Sequence, residues 1–518
     1  MRTKTAIKNI IFSLTNNIAT SILGFISRTV FIYVLGSTYL GISGLLQNIF
    51  GLLAISELGL STAIGFSLYK PLANNDTKLI SILMTIYKKA YRIIGFFILF
   101  TGIIMYKYID FFVDVKQLPS EITYIYYMYL INIVVGYFIS YKQVLILSDQ
   151  SSYKLVPIQM KINISTTIIQ ITYLIVFRNY IGYLSLQIIS SIILNYIQNR
   201  YITKQYGHIN FNSKDKLPKE EFNIIKKNVV GLMITKLGDF CVNSTDNLII
   251  SKFIDLVSVG LYSNYILLRE LVNGYIRIIF SNITSSFGNL IAKEDEKKCL
   301  EIFDVLFFIS FAIYSFEAVS LVCLYNQFIE IWIGKEYLFS FDIVLAIVTN
   351  NYLTGLRIPI LTMKSAAGIY SEDAWVPFGF AIINLVSSII LVNKFGVLGV
   401  VIGSIIGSLL TADWYRPVVI FKKVFKKSVI HYFKRYILYL ALGGIYMKIC
   451  IEICNSISLN NLIINLIVKG IVCAIVPNLI TIILFYKTNE FKYVINIIKL
   501  TIYNIKFKNF NKKDVVDI

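Results

Sequence analysis

The sequence has few charged residues for its length. Of its 518 residues, 15% are charged and 56% are hydrophobic, whereas a soluble globular protein carries about 25% charged residues. The charges are grouped in short segments between long apolar runs, and a membrane-spanning helix needs about 20 predominantly apolar residues. About fourteen such runs occur, which predicts an all-α integral membrane protein. They lie near residues 10–35, 40–67, 93–112, 122–147, 155–177, 182–199, 229–251, 258–290, 302–329, 341–363, 376–393, 397–419, 436–454 and 461–485.

Residues typical of catalytic and metal sites are also scarce. The chain has two histidines and six cysteines, and the cysteines form no CxxC pair. We interpret the cysteines as small packing residues rather than metal ligands or disulfides. No Walker A, HExxH or GxSxG motif is present, and no loop is long enough for a soluble catalytic domain. The sequence therefore predicts a protein that is not an enzyme and that binds no metal and no cofactor.

The positive charge is unevenly distributed. The formal net charge is +20, but lysine and arginine accumulate in cytoplasmic loops of membrane proteins, so we do not infer a nucleic-acid partner. If the N-terminus is cytoplasmic, the cytoplasmic loops and both termini hold 33 of the 49 basic residues and the external loops only 7. The first run, Ile10 to Leu35, is too long for a signal-peptide core. The distribution predicts a multi-pass protein with both termini in the cytoplasm.

A weak internal repeat suggests two halves. Residues 33–41 align without gaps with residues 252–260, an offset of six predicted helices, so the halves would point the same way across the membrane. We predict pseudo-symmetric six-helix lobes over 1–227 and 228–430, two additional helices over 431–486, and a basic cytoplasmic tail over 487–518, with a central cavity between the lobes.

Charged side chains also fall inside the predicted spans, where each costs about 2.5–3.5 kcal/mol on insertion scales. These are Arg28, Lys142, Lys161, Lys236, Arg269, Arg277, Arg357, Arg416 and Lys469, with the acids Glu57, Asp239, Asp246, Glu270, Glu317 and Asp413. Buried ion pairs that fix helix packing are one explanation. Because bases outnumber acids, we favour a hydrated cavity with a basic lining.

Polar residues in four spans recur at helical spacing, so each set forms a stripe on an otherwise apolar helix. The stripes are Asn17, Ser21, Gly24 and Arg28; Gln47, Ala54, Glu57 and Ser61; Lys236, Asp239, Asn243 and Asp246; and Arg269, Asn273 and Arg277. We expect these four faces to line the cavity.

Several short motifs stand in order on predicted helices 1, 2, 7 and 8. They are Ser27-Arg28-Thr29-Val30-Phe31 with Leu35-Gly36, Tyr39-Leu40-Gly41 and Gly44-Leu45; Glu57-Leu58-Gly59 with Tyr69-Lys70-Pro71-Leu72; Asn243-Ser244-Thr245-Asp246-Asn247; and Gly260-Leu261-Tyr262-Ser263-Asn264-Tyr265. Over nearly the whole chain the sequence resembles bacterial polysaccharide flippases of the Wzx type, in the multidrug/oligosaccharidyl-lipid/polysaccharide exporter superfamily. The count of fourteen helices is more similar to the lipid-linked peptidoglycan-precursor branch.

The resemblance implies a transport function. Proteins of this type move an undecaprenyl-pyrophosphate-linked oligosaccharide across the bacterial cytoplasmic membrane by alternating access. The partners implied are that lipid-linked glycan, membrane lipid, and polysaccharide polymerases and glycosyltransferases.

The polar stripes suit such a substrate. We assign Arg28, Arg269 and Arg277 to the pyrophosphate, because a guanidinium fork binds phosphate bidentately. Amides and hydroxyls would hydrogen-bond the sugars: Asn17, Ser21, Gln47 and Asn243. The acids Glu57, Asp239 and Asp246 either couple transport to a proton or sodium ion or hold the arginines in place, and the sequence leaves both roles open.

Other functions stay open. A cation-coupled small-molecule (drug) exporter on the same fold would prefer acids and aromatic residues over an arginine-lined cavity, and binding of a cationic dye would distinguish it. An integral-membrane polysaccharide polymerase would need a sizeable external loop carrying acids or arginines, and it would release free lipid carrier. A structural scaffold would not need so many charges inside the membrane.

Overall fold

The described part of the chain is helical throughout its regular structure. A computed structural model describes residues 2–54, 57, 59–114, 118–149, 151–219, 222, 225, 229, 245–293, 295–369, 372, 373, 375–496 and 499, with the side chains of 2–19, 279, 281–290, 292 and 293 left out. The α-helices are α1 Arg2–Ala54, α2 Leu60–Ala73, α3 Thr77–Tyr106, α4 Ile122–Ile139, α5 Gln143–Ser148, α6 Val156–Phe177, α7 Tyr180–Gln205, α8 Leu256–Lys293, α9 Glu296–Ile333, α10 Phe341–Ala367, α11 Val376–Phe395, α12 Val397–Leu410, α13 Ala412–Ile420, α14 Ile430–Ser456 and α15 Leu462–Phe485.

Within these residues, eleven helical stretches are long and apolar enough to cross a membrane. The all-α membrane fold is therefore confirmed, whereas the count of fourteen stays a prediction. The predicted run at 229–251 lies mostly outside the described residues. The run at 258–290 forms α8, which is not among the eleven, and its apolar stretches are interrupted by Arg269, Glu270 and Arg277.

Two helical segments meet without a loop at Gly36, within the stretch predicted as spans 10–35 and 40–67, and the second of these spans continues into α2. α1 runs from Arg2 to Ala54, and its one interruption is Gly36, with φ 79° and ψ −177°. A positive φ of this size is accessible to glycine at little cost, because glycine has no Cβ atom. The break at this point separates two apolar segments without an intervening loop, so periodicity alone reads them as two helices.

The described chain divides into two compact units. The first comprises Met1–Leu267 with Leu385–Val400, and the second comprises Leu268–Asn384 with Val401–Ile518. The lobe boundaries predicted at 227, 430 and 486 stay a prediction. In the tail, residues 489–496 are helical, and residues beyond 499 lie outside the described part.

Aromatic rings dominate the core of the second unit. Phe307 stacks on Tyr432 at 5.0 Å between ring centroids, and Phe311 stacks on Tyr439 at 4.3 Å. Such pairs add about 0.5–1.5 kcal/mol each beyond the burial of their area. They fix α9 against α14, and thereby set the position of the polar residues that α9 carries.

Candidate functional site

Arg28 is held by two neutral side chains within the first unit. Its Nη2 donates to Ser263 Oγ at 2.5 Å and to Asn264 Oδ1 at 3.0 Å, and its Nε donates to the same Oδ1 at 3.2 Å. Both partners lie in the first turns of α8, and Asn264 is fully buried. Because a hydroxyl and an amide carry no charge, these bonds orient the guanidinium without neutralising it.

Two arginines of α8 share one carboxylate in the second unit. Arg269 Nη2 lies 2.9 Å from Glu270 Oε1, and Arg277 Nη2 lies 2.8 Å from Glu270 Oε2. Arg277 stands two helical turns beyond Glu270 and so returns to the same face of the helix. The cluster therefore carries one positive charge in excess. Arg277 is the more accessible base, since 58% of its side chain is exposed against 21% for Arg269.

A buried polar network extends from the same helix. Asn273 Nδ2 donates to Asn351 Oδ1 at 2.8 Å, and Tyr314 Oη donates to Asn273 Oδ1 at 3.0 Å. The network joins α8, α9 and α10. Asn273 was predicted to belong to the arginine stripe, and in the structure its role is to connect these three helices.

Glu317, in the middle of α9, is a site residue to which the sequence assigned no role. It is only 3% exposed, and neither carboxyl oxygen has a hydrogen-bond partner. Arg269, Arg277 and Glu270 act on it electrostatically. Its immediate neighbours Phe316 and Ala318 are apolar, but Ser310, Tyr314 and Ser320 stand at helical spacing from it. This polar stripe, together with the charge inside a predicted span, was the sequence signal that could have found it.

The other sequence-predicted site residues belong to the first unit or fall outside the described side chains. Ser21 is half-buried in α1. Gln47 is exposed and donates to Ser43 Oγ at 3.1 Å. Glu57 accepts from Tyr91 Oη at 2.8 Å. The side chain of Asn17, and all of Asp239 and Asn243, fall outside the described residues.

Asp246 stays within the first unit, where its Oδ2 accepts a hydrogen bond from Tyr262 Oη at 3.0 Å. Asp246 and Glu57 thus both have tyrosine donors, and coupling to an ion or pairing with an arginine stays a prediction for each. The convergence of Arg28 with Arg269 and Arg277 on one cavity also stays a prediction.

Buried ion pairs account for two of the basic residues inside the spans. In the second unit, Arg357 Nε lies 3.1 Å from Asp413 Oδ1, and Ser408 Oγ accepts from Arg357 Nη1 at 2.6 Å while donating to Asp413 Oδ2 at 2.7 Å. Arg416 Nε lies 2.9 Å from Asp373 Oδ2. Arg357 is compensated by Asp413 and joins α10 to α13, whereas Arg416 shares the buried Asp373 with Lys364, whose Nζ lies 2.6 Å from Asp373 Oδ1.

An apolar groove and a cationic pocket lie along one face of α7. The groove, about 280 Å³, runs between α6 and α7 and is lined by Lys161, Ile162, Ser165, Thr166, Ile169, Leu186, Ile189, Ser190 and Ile193. The pocket, about 580 Å³, is lined by Lys142, Tyr196, Asn199, Arg200, Thr203 and Lys204. Because α-helical residues rise 1.5 Å each, Ile193 and Arg200 stand about 10 Å apart along the axis. We call this pair of cavities the α7 trough.

Three of the four cations that line the α7 trough lie in the pocket, and the fourth, Lys161, lines the groove. The pocket lining contains three cations and no acid among the described residues. Lys142 Nζ donates to Thr203 Oγ1 at 2.6 Å and lies over the Phe211 ring at 4.5 Å from its centroid. An apolar groove beside a cationic pocket fits an anionic amphiphile, whose tail would lie in the groove and whose headgroup would lie in the pocket.

Three cysteines from different helices meet in the second unit. The sulfur atoms of Cys323, Cys454 and Cys473 lie within 4.8 Å of one another. Three thiols are a donor set that soft metal ions accept, and a buried thiol also packs as a small apolar group. Sequence spacing gave no sign of this cluster, because each sulfur comes from a separate helix. The absence of a metal stays a prediction.

These features are those of a polytopic membrane protein with the fold of flippases and exporters. A lipid II flippase MurJ in an inward closed conformation matches with a TM-score of 0.64 and 14% identity, over 92% of this chain and 99% of that one. An inward-facing multidrug resistance MATE family transporter of the MOP superfamily matches with a TM-score of 0.60 and 14% identity, over 81% and 99%. A Vibrio cholerae MATE transporter matches at 0.55 and 11%, over 82% and 98%.

No family model and no curated protein matches the sequence. At such low identities the structural likeness establishes the fold alone. Assignment to the Wzx type, and the nature of the substrate, stay predictions.

Proposed function

We propose that this protein is a flippase that moves a lipid-linked, pyrophosphate-bearing oligosaccharide across the bacterial cytoplasmic membrane. The observation that carries the proposal is the excess of bases over acids in the Arg269–Glu270–Arg277 cluster of the described chain, and Arg28 in the first unit is a separate supporting observation. Arg269 and Arg277 share one carboxylate, and Arg28 is oriented by neutral groups. A pyrophosphate crossing a low-dielectric layer needs such cations, since opposite charges attract more strongly there than in water.

The α7 trough supports the lipid part of the proposal. Its apolar groove accommodates part of a polyprenyl chain, and its cationic pocket accommodates the phosphates. The predicted orientation puts the pocket at the cytoplasmic side of the membrane, with its cations Lys142, Arg200 and Lys204. A lipid-linked precursor is made on that side. Polysaccharide polymerases and glycosyltransferases are the partners that such a step requires.

Export of cationic small molecules is the alternative, because the MATE transporters that share the fold include a multidrug resistance protein. The described site favours an anion instead. A small-molecule exporter of cations would be served by carboxylates that pair with no base. Glu270 is occupied by two arginines and Asp413 by a third, whereas Glu57 and Glu317 form no ion pair in the described part of the chain, so a cation is tested beside the anion.

A reconstitution experiment separates the two functions. The purified protein is placed in liposomes with a fluorescent prenyl-pyrophosphate-linked saccharide, and externally accessible label is quenched over time; a cationic dye is tested in parallel. We expect the protein to accelerate movement of the saccharide lipid and Arg277→Ala to slow it at least tenfold, with the dye unaffected. Movement of the dye alone would refute the proposal.

A further inference from the structure

Glu317 is buried in a way that a charged carboxylate does not tolerate. It is 3% exposed, and both of its oxygens lack a hydrogen-bond partner. An ionised carboxylate removed from water needs hydrogen bonds or a direct ion pair to offset the loss of hydration. Among the described residues no base forms an ion pair with Glu317 at contact distance, and Arg269 and Arg277 both pair with Glu270 instead. The amide of Asn351 is directed at the carboxyl group, but its geometry falls short of a hydrogen bond.

The groups that surround Glu317 come from every helix packed against α9. From α8, Arg269, Arg277 and Glu270 act on it, and from α10 the amide of Asn351 does. Asn351 Nδ2 likewise lacks a hydrogen-bond partner. On α9 itself, Tyr314 is committed to Asn273. Farther along α9, Tyr446 of α14 contacts the ring of Phe311, and Cys473 of α15 contacts the carbonyl oxygen of Val319.

We propose that Glu317 carries a proton in this conformation and that its protonation sets the charge of the Arg269–Glu270–Arg277 cluster, making it the proton-binding site of the transporter. With the proton bound, the four groups hold one positive charge in excess; without it they are neutral. Proton binding and anion binding therefore favour each other by linkage. The inference rests on the proposed function only for the identity of the anion.

Proton occupancy is tested first, without any ligand. Infrared difference spectra of the purified protein in lipid nanodiscs are recorded as the pH is raised, and the carbonyl stretch of a protonated carboxylic acid is followed. The wild type should show this band, and Glu317→Gln should lack it. Glu330→Gln is the matched control on α9, because Glu330 already pairs with Lys335 at 3.5 Å. A band that is unchanged in Glu317→Gln, or absent from the wild type, overturns the inference whatever the protein transports.

Linkage is tested second, with farnesyl pyrophosphate as the probe. Calorimetric titrations from about pH 5 to about pH 9 should show the wild-type affinity, divided by that of Glu317→Gln at the same pH, falling about tenfold as the pH rises, from the loss of one unit of charge near the arginines. Glu317→Gln mimics the protonated acid, so the two proteins should bind alike at low pH, and the ionisation of the pyrophosphate itself cancels in the ratio. If both proteins bind with the same pH dependence, the linkage is refuted and the proposed function stands. If neither binds, the proposed function fails, and the infrared result still decides the state of Glu317.

Discussion

Gly41 of α1 and Gly260 of α8 form a reciprocal backbone contact within the first unit. A Cβ atom on Gly41 would overlap the carbonyl oxygen of Leu256, and one on Gly260 would lie 2.5 Å from the carbonyl oxygen of Ser37. The repeat aligned from the sequence pairs Gly41 with Gly260 and Ser37 with Leu256. Replacing each residue by its counterpart in the repeat therefore turns the Gly41–Leu256 contact into the Gly260–Ser37 contact. Self-complementary contact of this kind is what a two-fold relation produces.

Gly41→Ala should therefore destabilise the protein. The added methyl group meets main-chain atoms that a rotamer change cannot move, and such overpacking costs about 1–3 kcal/mol. The melting temperature of the purified protein in detergent measures the effect. Gly24→Ala is the control in the same helix, because a Cβ atom there meets nothing within 4 Å and alanine is favoured over glycine in helices by about 0.5–1 kcal/mol. Equal melting temperatures for both variants would contradict the contact.

Glu270→Gln should tighten the binding of a pyrophosphate anion. The substitution leaves Arg269 and Arg277 without their shared carboxylate and raises the excess charge of the cluster by one unit. At an effective dielectric constant of about 20, one charge within several ångströms is worth about 1–2 kcal/mol, so affinity should rise by about tenfold and fall more steeply with salt. Glu301→Gln, on an exposed pair with Lys298, should leave binding unchanged; weaker binding by Glu270→Gln would show that the carboxylate is needed to place the arginines.

The Arg357–Asp413 pair should behave as a packing element. Asp413→Asn leaves a buried guanidinium without its counter-charge, and breaking such a pair costs about 3–5 kcal/mol. The double variant Arg357→Met with Asp413→Leu removes both charges and should recover most of that stability. Thermal unfolding of the three proteins provides the comparison. A double variant that is as stable as the wild type but inactive in transport would instead place the pair in the mechanism.

The α7 trough should bind an anionic prenyl lipid through its cationic pocket. Arg200→Gln with Lys204→Gln should weaken binding of farnesyl pyrophosphate by about tenfold, because two of the three cations of the pocket are lost. Native mass spectrometry of the protein in detergent gives the lipid occupancy. Lys252→Gln serves as the control, since Lys252 is engaged by the carbonyl oxygen of Asp110 outside the trough. An equal loss of phosphatidylglycerol binding would identify the pocket as a general site for anionic lipids.

The sequence predicted more of the fold than of the site. Long apolar runs specify spanning helices directly, because a backbone in lipid must satisfy its own hydrogen bonds. The runs separated two helices near Gly36 but did not show that they join there without a loop, or that the second ends at Ala54 before α2 begins. For the site, helical spacing brought Arg269 and Arg277 onto one stripe, but the spacing could not show that Glu270 binds both.

By itself, the sequence determined that this protein is an all-α membrane protein with more positive than negative charge inside its spans, because hydropathy and charge are properties of each residue. Only the tertiary structure decided which of those charges is compensated. Arg357 is neutralised by an acid on another helix, Arg28 is oriented by neutral groups, and Glu317 has no hydrogen-bond partner. The reason is that compensation depends on contacts between helices distant in sequence, and no spacing within one helix encodes them.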